Sequence, residues 1–311
     1  MLDLVVIALR FAQYGSAVIL LGTPLFLLYG LRGADALAQA WPRHALIGAS
    51  AVLAVASAAG LVAQTAVMAG SLIEGLKPAS LGFMITGTTL GPAFLVRGGI
   101  ALAALALVLI ARPSRLQWGI LVVAGLAISA SFAWTGHGAA TEGFGHYPHL
   151  LGAILHSWVA ALWLGALAAL LLMTVRHRPG DAASDRVLHG ALRGFSGVGT
   201  AAVATLVVSG LINSWFTVGI DGIGGLVTTP YGGLLLAKLA LFGLMVALAA
   251  LNRFHLTPDL ANALDDPDDL PVALVRLKRS LMVETLLAIV LLGVMAVMGT
   301  LAPISATDMG M

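Results

Sequence analysis

Histidines are concentrated in one stretch of this chain, between Trp134 and Gly165, which contains no lysine or arginine. The first half of the stretch is polar and glycine-rich, and the second half is a long apolar run. Imidazole nitrogen is a good ligand for copper, zinc and iron. The stretch therefore predicts a metal site at the mouth of an apolar segment. Four of the eight histidines of the chain lie here, namely His137, His146, His149 and His156, with Glu142 among them as an auxiliary ligand.

The spacing of these histidines suggests successive sites rather than one chelate. His149 and His156 are seven residues apart, which on a helix gives nearly the same azimuth and a rise of about 10 Å. We therefore expect one site at the mouth of the segment and a second about two turns deeper. Pro148 fits the first turn of a helix that begins near His149. The backbone restriction imposed by this proline predicts that His146 lies on the preceding loop.

Thioether sulfur selects Cu(I), and two methionines, Met68 and Met298, fall in segments predicted to end on the same side as the histidines. An unpartnered imidazole within a membrane would cost about a few kcal/mol, so His156 requires a ligand or a hydrogen-bond partner. The candidate partners lie in the halves of their segments that are on the same side of the membrane as the histidines. They are Gln64, Met68, Asn213 and Met298.

Each of these residues also has an ordinary structural interpretation. Histidines in a loop at a membrane surface are often polar interface residues, and His156 can be a core histidine bonded to a backbone carbonyl. Met68 and Met298 can be simple packing residues. The sequence leaves these alternatives open.

The composition specifies the class of protein. Of 311 residues, 59% are hydrophobic and 10% are charged, and the mean hydropathy is +1.00, whereas soluble domains carry roughly 25% charged residues. The chain is therefore predicted to be a polytopic membrane protein, because lipid forces backbone polar groups to be satisfied within helices. The absence of cysteine excludes disulfides, thiolate metal sites and cysteine nucleophiles.

Eight apolar segments are long enough to cross a bilayer, so we expect an all-α integral membrane bundle of eight transmembrane helices. Residues 1–191 should form a membrane region with five helices and the histidine loop, and residues 192–311 a second region with three. The connections 74–92, 176–193 and 252–275 are expected to be loops. The predicted segments are Leu4–Gly30, Ala45–Ile73, Ala93–Ala111, Leu116–Trp134, His149–Val175, Phe195–Val218, Tyr231–Leu251 and Leu277–Leu301.

Basic residues alternate between the two sets of loops. Four connections carry arginines or lysines, while the opposite connections carry only Lys77. Cytoplasmic loops are enriched in such residues, so both termini, and with them the histidine loop, are predicted to face outward. The basic connections hold Arg32 and Arg43; Arg112 and Arg115; Arg176, Arg178, Arg186 and Arg193; and Arg253, Arg276, Lys278 and Arg279.

Three cations inside the segments, Arg10, Arg97 and Lys238, argue against a simple cation pathway. They suit an anion, haem propionates or a quinone better, although Arg97 can snorkel to the membrane surface. Arg10 shares one helical face with Gln13 and Tyr14, and this face is expected to point into the bundle.

The C-terminal half resembles the CopD family of bacterial copper-resistance membrane proteins, and residues 1–134 do so more loosely. One departure is the insertion of Gly194 after Arg193. The resemblance implies copper movement across the inner membrane, a periplasmic copper-binding CopC-like partner, and a place for Lys238 in the bundle interior. The matching runs are LHSWVAALWLGAL (155–167), LRGFSGVGT (192–200), VVSGLINSW (207–215), LVTTPYGGLLLAKLAL (226–241) and ALNR (250–253).

Three functions fit these observations. The first is a non-enzymatic copper transporter of the inner membrane, which captures copper in the periplasm and passes it to the cytoplasm. Because the sequence has no phosphate-binding loop or aspartyl-phosphate motif, such transport is passive, ion-coupled or driven by a partner. The second is a membrane redox protein linked to haem or quinone. The third is a copper-binding sensor that does not transport.

Overall fold

The computed structural model describes residues 2–31, 41–136, 141, 143–176, 182–264 and 269–308. In these residues eight helices are long and apolar enough to cross a membrane, and there is no strand. The predicted all-α, eight-span fold is therefore confirmed. The helices are α1 (Leu2–Tyr29), α2 (Trp41–Ala69), α3 (Leu90–Ile110), α4 (Arg115–Ser131), α5 (His146–Arg176), α6 (Ala182–Thr217), α7 (Pro230–Leu251) and α8 (Leu270–Met298).

Parts of the expected loops are helical. The connection 74–92, between α2 and α3, contains the helix Pro78–Gly87. Helix α7 continues through a π-helical turn, Asn252–Leu256, into the helix Thr257–Ala263. Helix α6 begins at Ala182, well before the predicted Phe195. Its early turns bury Leu188, Ala191 and Leu192, a spacing that gives one apolar helical face despite the charges around it.

Helices α1 and α5 form the centre of the bundle. Helix α1 packs on α2, α4, α5 and α8, and α5 packs on α1, α4, α6 and α8. The two central helices cross at Gly22 and Gly165, where a Cβ added at Gly165 would lie 2.5 Å from the Gly22 Cα and 2.7 Å from the Val18 carbonyl oxygen. Small residues permit such backbone contact between membrane helices, which brings packing energy that lipid cannot supply.

The other helices surround this pair. Helix α3 packs on α2 and α4, and α7 packs on α8. A lateral groove of about 600 Å³ runs between α6 and α7, and its floor includes residues of α5 and α8. The last helices therefore leave an opening in the side of the bundle.

Arg97 does not snorkel, which corrects the expectation from the sequence. Its side chain is fully buried, and Nη1 donates to Gln13 Oε1 at 2.5 Å. Nε donates to Ser131 Oγ at 2.9 Å and Nη2 to Thr135 Oγ1 at 3.1 Å, and the guanidinium lies over the ring of Phe132. Neutral oxygens and an aromatic face thus solvate the cation, and Arg97 joins α3, α1 and the end of α4 in a structural network.

The predicted inward face of α1 is confirmed. Gln13 is buried and its Nε2 donates to the Ala56 carbonyl oxygen of α2 at 2.7 Å. The ring of Tyr14 packs edge-on against Phe132. Arg10 Nη1 donates to the Gly299 carbonyl oxygen at 2.6 Å, which ties the start of α1 to the end of α8.

An even number of spans places both termini at one end of the bundle, here called the terminal end, together with the start of α5. From the arginine and lysine distribution we expect this end to face the periplasm. A reporter that is active only in the periplasm should work when fused after Met311 and fail when fused in the connection between α5 and α6. The reverse pattern would contradict the orientation.

Candidate functional site

A cavity of about 270 Å³ opens among α1, the end of α4, α5, α6, α7 and α8 at the terminal end of the bundle; we call it the outer cavity. His149 and His156 both line it, as does Met298. These three side chains come from α5 and α8, whose packing in the bundle sets their directions. The seven-residue spacing thus places two imidazoles along one wall, as the sequence predicted.

His149 lies at the upper part of this wall, in the first turns of α5, and is 3% exposed. Its Nδ1 lies 2.7 Å from Thr141 Oγ1, and its ring stacks on Phe216 at a centroid distance of 4.9 Å. These contacts fix the orientation of the ring.

His146 is the first residue of α5 and not a loop residue, which corrects the sequence prediction. Helix N-termini have free backbone N–H groups, so Pro148 costs no hydrogen bond in this first turn. Nδ1 of His146 lies 3.0 Å from the Thr141 carbonyl oxygen. Both His146 and His149 are thus anchored to Thr141, but His146 does not line the outer cavity.

His156 lies deeper, and its Nδ1 is 3.0 Å from Ser209 Oγ of α6. Ser209 was not among the partners predicted for it. Two of the predicted candidates, Asn213 and Met298, do line the cavity with His156, whereas Gln64 and Met68 do not. Helix α2, which carries them, packs on α1 and α3, and Met68 is 52% exposed.

Met298 and Asn213 give this cavity soft and polar donors near the histidines. Met298 is 5% exposed. Asn213 Oδ1 is buried and has no hydrogen-bond partner within the described ranges. A thioether, two imidazoles and an amide oxygen therefore face one space, a combination in which the nitrogen and sulfur donors suit copper.

The described residues contain no group of three or more histidine, aspartate or glutamate side chains close enough to hold a metal ion. His137 and Glu142, which were predicted as ligands, lie outside the described residues. What the described part of the chain offers is therefore a series of separate donors along a cavity wall, and not a closed multidentate site.

Lys238 lines both the outer cavity and the lateral groove, as does His156. It has no hydrogen bond or ion pair to any of the described residues. The rest of the groove wall is almost entirely apolar, with Trp163, Trp215 and Phe242 among its larger side chains. An unpaired ammonium group in such a wall offers an attachment point for a negative or carbonyl-bearing ligand.

A buried acid in α8 was missed by the sequence reasoning. Glu284 is 2% exposed and lines a second cavity of about 470 Å³ towards the opposite end of the bundle, here called the inner cavity. Asn252 Nδ2 donates to Glu284 Oε2 at 2.9 Å. The signal was present in the sequence, because a single carboxyl inside an apolar segment is a candidate functional residue by default.

Two family models match this chain. The model of the copper resistance protein D-like N-terminal domain matches residues 1–147, and the model of copper resistance protein D matches residues 189–298. The division at residue 191 predicted from the sequence stays a prediction. No solved structure matches the chain.

Similar proteins match nearly the whole length of the chain, including the part between the two family models. The chain is 39% identical to copper resistance protein D of Pseudomonas syringae pv. tomato over 306 residues, 96% of each protein. It is 28% identical to copper transport protein CutJ of Bacillus subtilis over 250 residues, 78% of this chain and 45% of that protein. It is 33% identical to inner membrane protein YebZ of Escherichia coli over 128 residues, 40% of this chain and 41% of that protein.

These relatives are named as copper resistance, copper transport or inner-membrane proteins, and none is named as an enzyme. The apolar helices and the relatives together identify a multi-pass protein of the inner membrane. Both the length of the match and the two family models support one conclusion: the chain belongs to the copper resistance protein D family.

Proposed function

We propose that this protein carries copper across the bacterial inner membrane, from the periplasm to the cytoplasm, as part of copper homeostasis. The observation that carries the proposal is the outer cavity, where His149, His156 and Met298 line one space at the predicted periplasmic end. The family supplies the metal, and the donor types fit it. A CopC-like periplasmic protein is the proposed source of the copper.

In this proposal copper moves between partial ligand sets. His137, His146 and Glu142 provide the initial capture, and His149 and His156 act as the first and second stations within the outer cavity. Sites with few ligands release an ion more readily than a closed tetrahedral site, and transport requires release as much as binding. Met68 is exposed on α2, away from the cavity lining, and has no part in this route.

The two cations near the route have separate roles in this account. Arg10 is held at the rim by the Gly299 carbonyl oxygen. Lys238 and His156 both line the outer cavity. The positive charge of Lys238 repels a copper ion bound at His156. Such repulsion shortens the residence of copper at the second station and so favours onward movement.

Copper binding should depend on His149 and on pH. We expect His149→Ala to weaken copper binding by at least roughly 10–100-fold, the cost typical of losing a group that only supports a metal ligand. Imidazole must be neutral to bind a metal, so binding should also weaken as the pH falls below about 6. Equilibrium titration of the purified protein with Cu(I) measures both effects.

The matched control is His44→Ala, which removes an exposed histidine at the opposite end of the bundle. It should bind copper as the unchanged protein does. Unchanged affinity in His149→Ala, or equal loss in His44→Ala, would remove His149 from the site. Copper uptake by proteoliposomes separates transport from the sensor function, because a sensor binds copper but does not accumulate it.

The lateral groove favours a second candidate function, a redox role linked to a quinone. The groove is apolar, open at the side of the bundle, and carries Lys238 and His156 as polar groups, which are the features of a site for a carbonyl-bearing lipophilic ligand. Extraction of the purified protein with organic solvent tests for quinone, and a visible spectrum tests for haem. Detection of either in stoichiometric amount would favour this candidate over simple transport.

A further inference from the structure

Glu284 lies midway along α8, with its side chain 2% exposed. The other carboxyl residues within the described spanning helices, Asp3 and Asp185, lie in the first turn of a helix. An acidic group far from a helix end in the membrane is costly and is usually retained for a function. The outer cavity does not include Glu284, so the proposed copper stations leave it unexplained.

The partner of Glu284 is an amide with an unused acceptor. Asn252 is 8% exposed, and its Nδ2 donates to Glu284 Oε2 at 2.9 Å. Asn252 Oδ1 is buried and has no donor within the described part of the chain. An ionised carboxylate can only accept hydrogen bonds, whereas a protonated carboxyl group has an O–H to donate. A proton on Glu284 would therefore supply the donor that the amide oxygen lacks and complete a two-point acid–amide pair.

The local backbone is unusual at the same place. Asn252 is the first residue of the π-helical turn Asn252–Leu256, which interrupts the long helix formed by α7 and its extension. Single π-helical turns within α-helices occur frequently at functional sites. The turn sets the position from which the Asn252 side chain reaches Glu284.

No cation neutralises Glu284 among the described residues. Arg253 also lines the inner cavity, but its guanidinium donates to the Ser196 carbonyl oxygen at 3.0 Å and to Thr200 Oγ1. The remaining lining residues, from α5, α6, α7, α8, the π-helical turn and the helix after it, are neutral. The other titratable or charged residues of the adjoining elements lie outside this lining. They are Asp3, Arg10, Tyr14 and Tyr29 on α1; His146, Tyr147, His149, His156 and Arg176 on α5; Asp185, Arg186, His189 and Arg193 on α6; Tyr231 and Lys238 on α7; His255 on the π-helical turn and the exposed Asp259 beyond it; and Arg276, Lys278 and Arg279 on α8.

The inner cavity adjoins the proposed copper route. Trp163 of α5 lines both the inner cavity and the lateral groove. His156 in turn lines both the groove and the outer cavity. Trp163 is therefore a shared wall residue of the groove, which holds the second copper station, and of the inner cavity, which holds Glu284.

We infer that Glu284, together with Asn252, is a proton site that exchanges a proton for each copper ion passing through the inner cavity. The inference rests on the proposed transport function. When copper arrives from the periplasmic side, the carboxyl group releases its proton to that side, and the carboxylate balances the charge of the ion. When copper leaves to the cytoplasmic side, a proton from that side returns and pairs with the amide oxygen. The oxygen donors of this pair suit a proton better than they suit soft Cu(I), so the carboxylate is a counter-charge and not a copper ligand.

Proteoliposomes can measure this exchange. Cu(I) is supplied outside, and the vesicles contain a pH-sensitive dye and a neutral diimine chelator that binds Cu(I) without releasing protons. We expect the interior to become more alkaline as copper enters through the unchanged protein. Glu284→Gln, which keeps the acceptor for Asn252 Nδ2, should lose this alkalinisation. Glu74→Gln is the control, because Glu74 forms a surface ion pair with Lys77 and should leave the exchange unchanged.

A spectroscopic measurement covers the case in which Glu284→Gln transports no copper at all. The infrared spectrum of the unchanged protein should contain the C=O band of a protonated buried carboxyl group, which shifts in heavy water. That band should be absent in Glu284→Gln and present in Glu74→Gln. If the band persists in Glu284→Gln, or if the control loses it, the proton does not reside on Glu284 and the inference is wrong.

The outcomes separate the two proposals. Copper uptake by the unchanged protein without alkalinisation, or with acidification, overturns the proton exchange and leaves copper transport standing. Alkalinisation that continues in Glu284→Gln overturns the assignment to this residue. Absence of copper uptake by the unchanged protein overturns the proposed function and the exchange that rests on it.

Discussion

His156→Leu is expected to fold and to lose most copper uptake. Leucine replaces a half-buried ring in the bundle with an apolar side chain of similar size, so the packing cost is modest. The deeper imidazole of the outer cavity disappears, and uptake should fall by at least the roughly 10–100-fold typical of damage to a metal site. Copper uptake into proteoliposomes, with protein amounts matched, is the measurement.

Two further substitutions distinguish a copper station from a structural histidine. His156→Gln can keep a hydrogen bond with Ser209, which lies 3.0 Å from the imidazole Nδ1, so a purely structural role would be rescued. His156→Met offers a thioether, which binds Cu(I), so a copper role would be rescued in part. We expect uptake to be higher in His156→Met than in His156→Gln. Full uptake by a folded His156→Leu protein would exclude this residue from the mechanism.

Gly165→Val should prevent the bundle from forming. A Cβ at this position would lie 2.5 Å from the Gly22 Cα and 2.7 Å from the Val18 carbonyl oxygen, and both are backbone atoms that cannot rotate away. Overpacking typically costs about 1–3 kcal/mol, and a clash with backbone between the two central helices should reach or exceed that range. The expected result is aggregation or a strongly lowered midpoint of thermal unfolding in detergent.

Gly243→Val is the matched control, because a Cβ added at Gly243 on α7 has no neighbouring atom within 4 Å. The two substitutions change helix propensity alike and differ in the contact they create. A control protein as unstable as Gly165→Val would show that propensity, and not the crossing of α1 and α5, explains the loss.

The sequence predicted the number of spanning helices because length and hydropathy are set by the bilayer. It did not predict the start of α6, because the charged residues Asp185 and Arg186 made this stretch resemble a loop. The apolar face of the helix, which includes Leu188 and Leu192, is narrow there. Charge density identifies a loop only when no apolar face accompanies it.

Within one helix, the sequence predicted the arrangement of the site residues, but it did not predict the contacts between helices. The spacing of His149 and His156 placed both on one cavity wall, because helical geometry alone determines it. Ser209, the hydrogen-bond partner of His156, was not among the predicted candidates, because nothing in the sequence specifies which helices are neighbours. Gln64 and Met68 lie at a suitable depth, but α2 packs against α1 and α3.

Glu284 was missed for another reason. The polar groups singled out from the sequence all belong to the predicted outer half of the membrane, whereas Glu284 lies towards the other half. Its pairing with Asn252 joins two segments 32 residues apart in sequence, and only tertiary structure reveals that contact.

The most direct test of the central claim is the position of copper in the protein. Crystals soaked with Cu(I) and measured at the copper absorption edge should show an anomalous peak in the outer cavity, beside His149 or His156 and within reach of Met298. The peak beside His156 should disappear in His156→Leu. Copper bound only outside this cavity, with no peak near either histidine, would contradict the account.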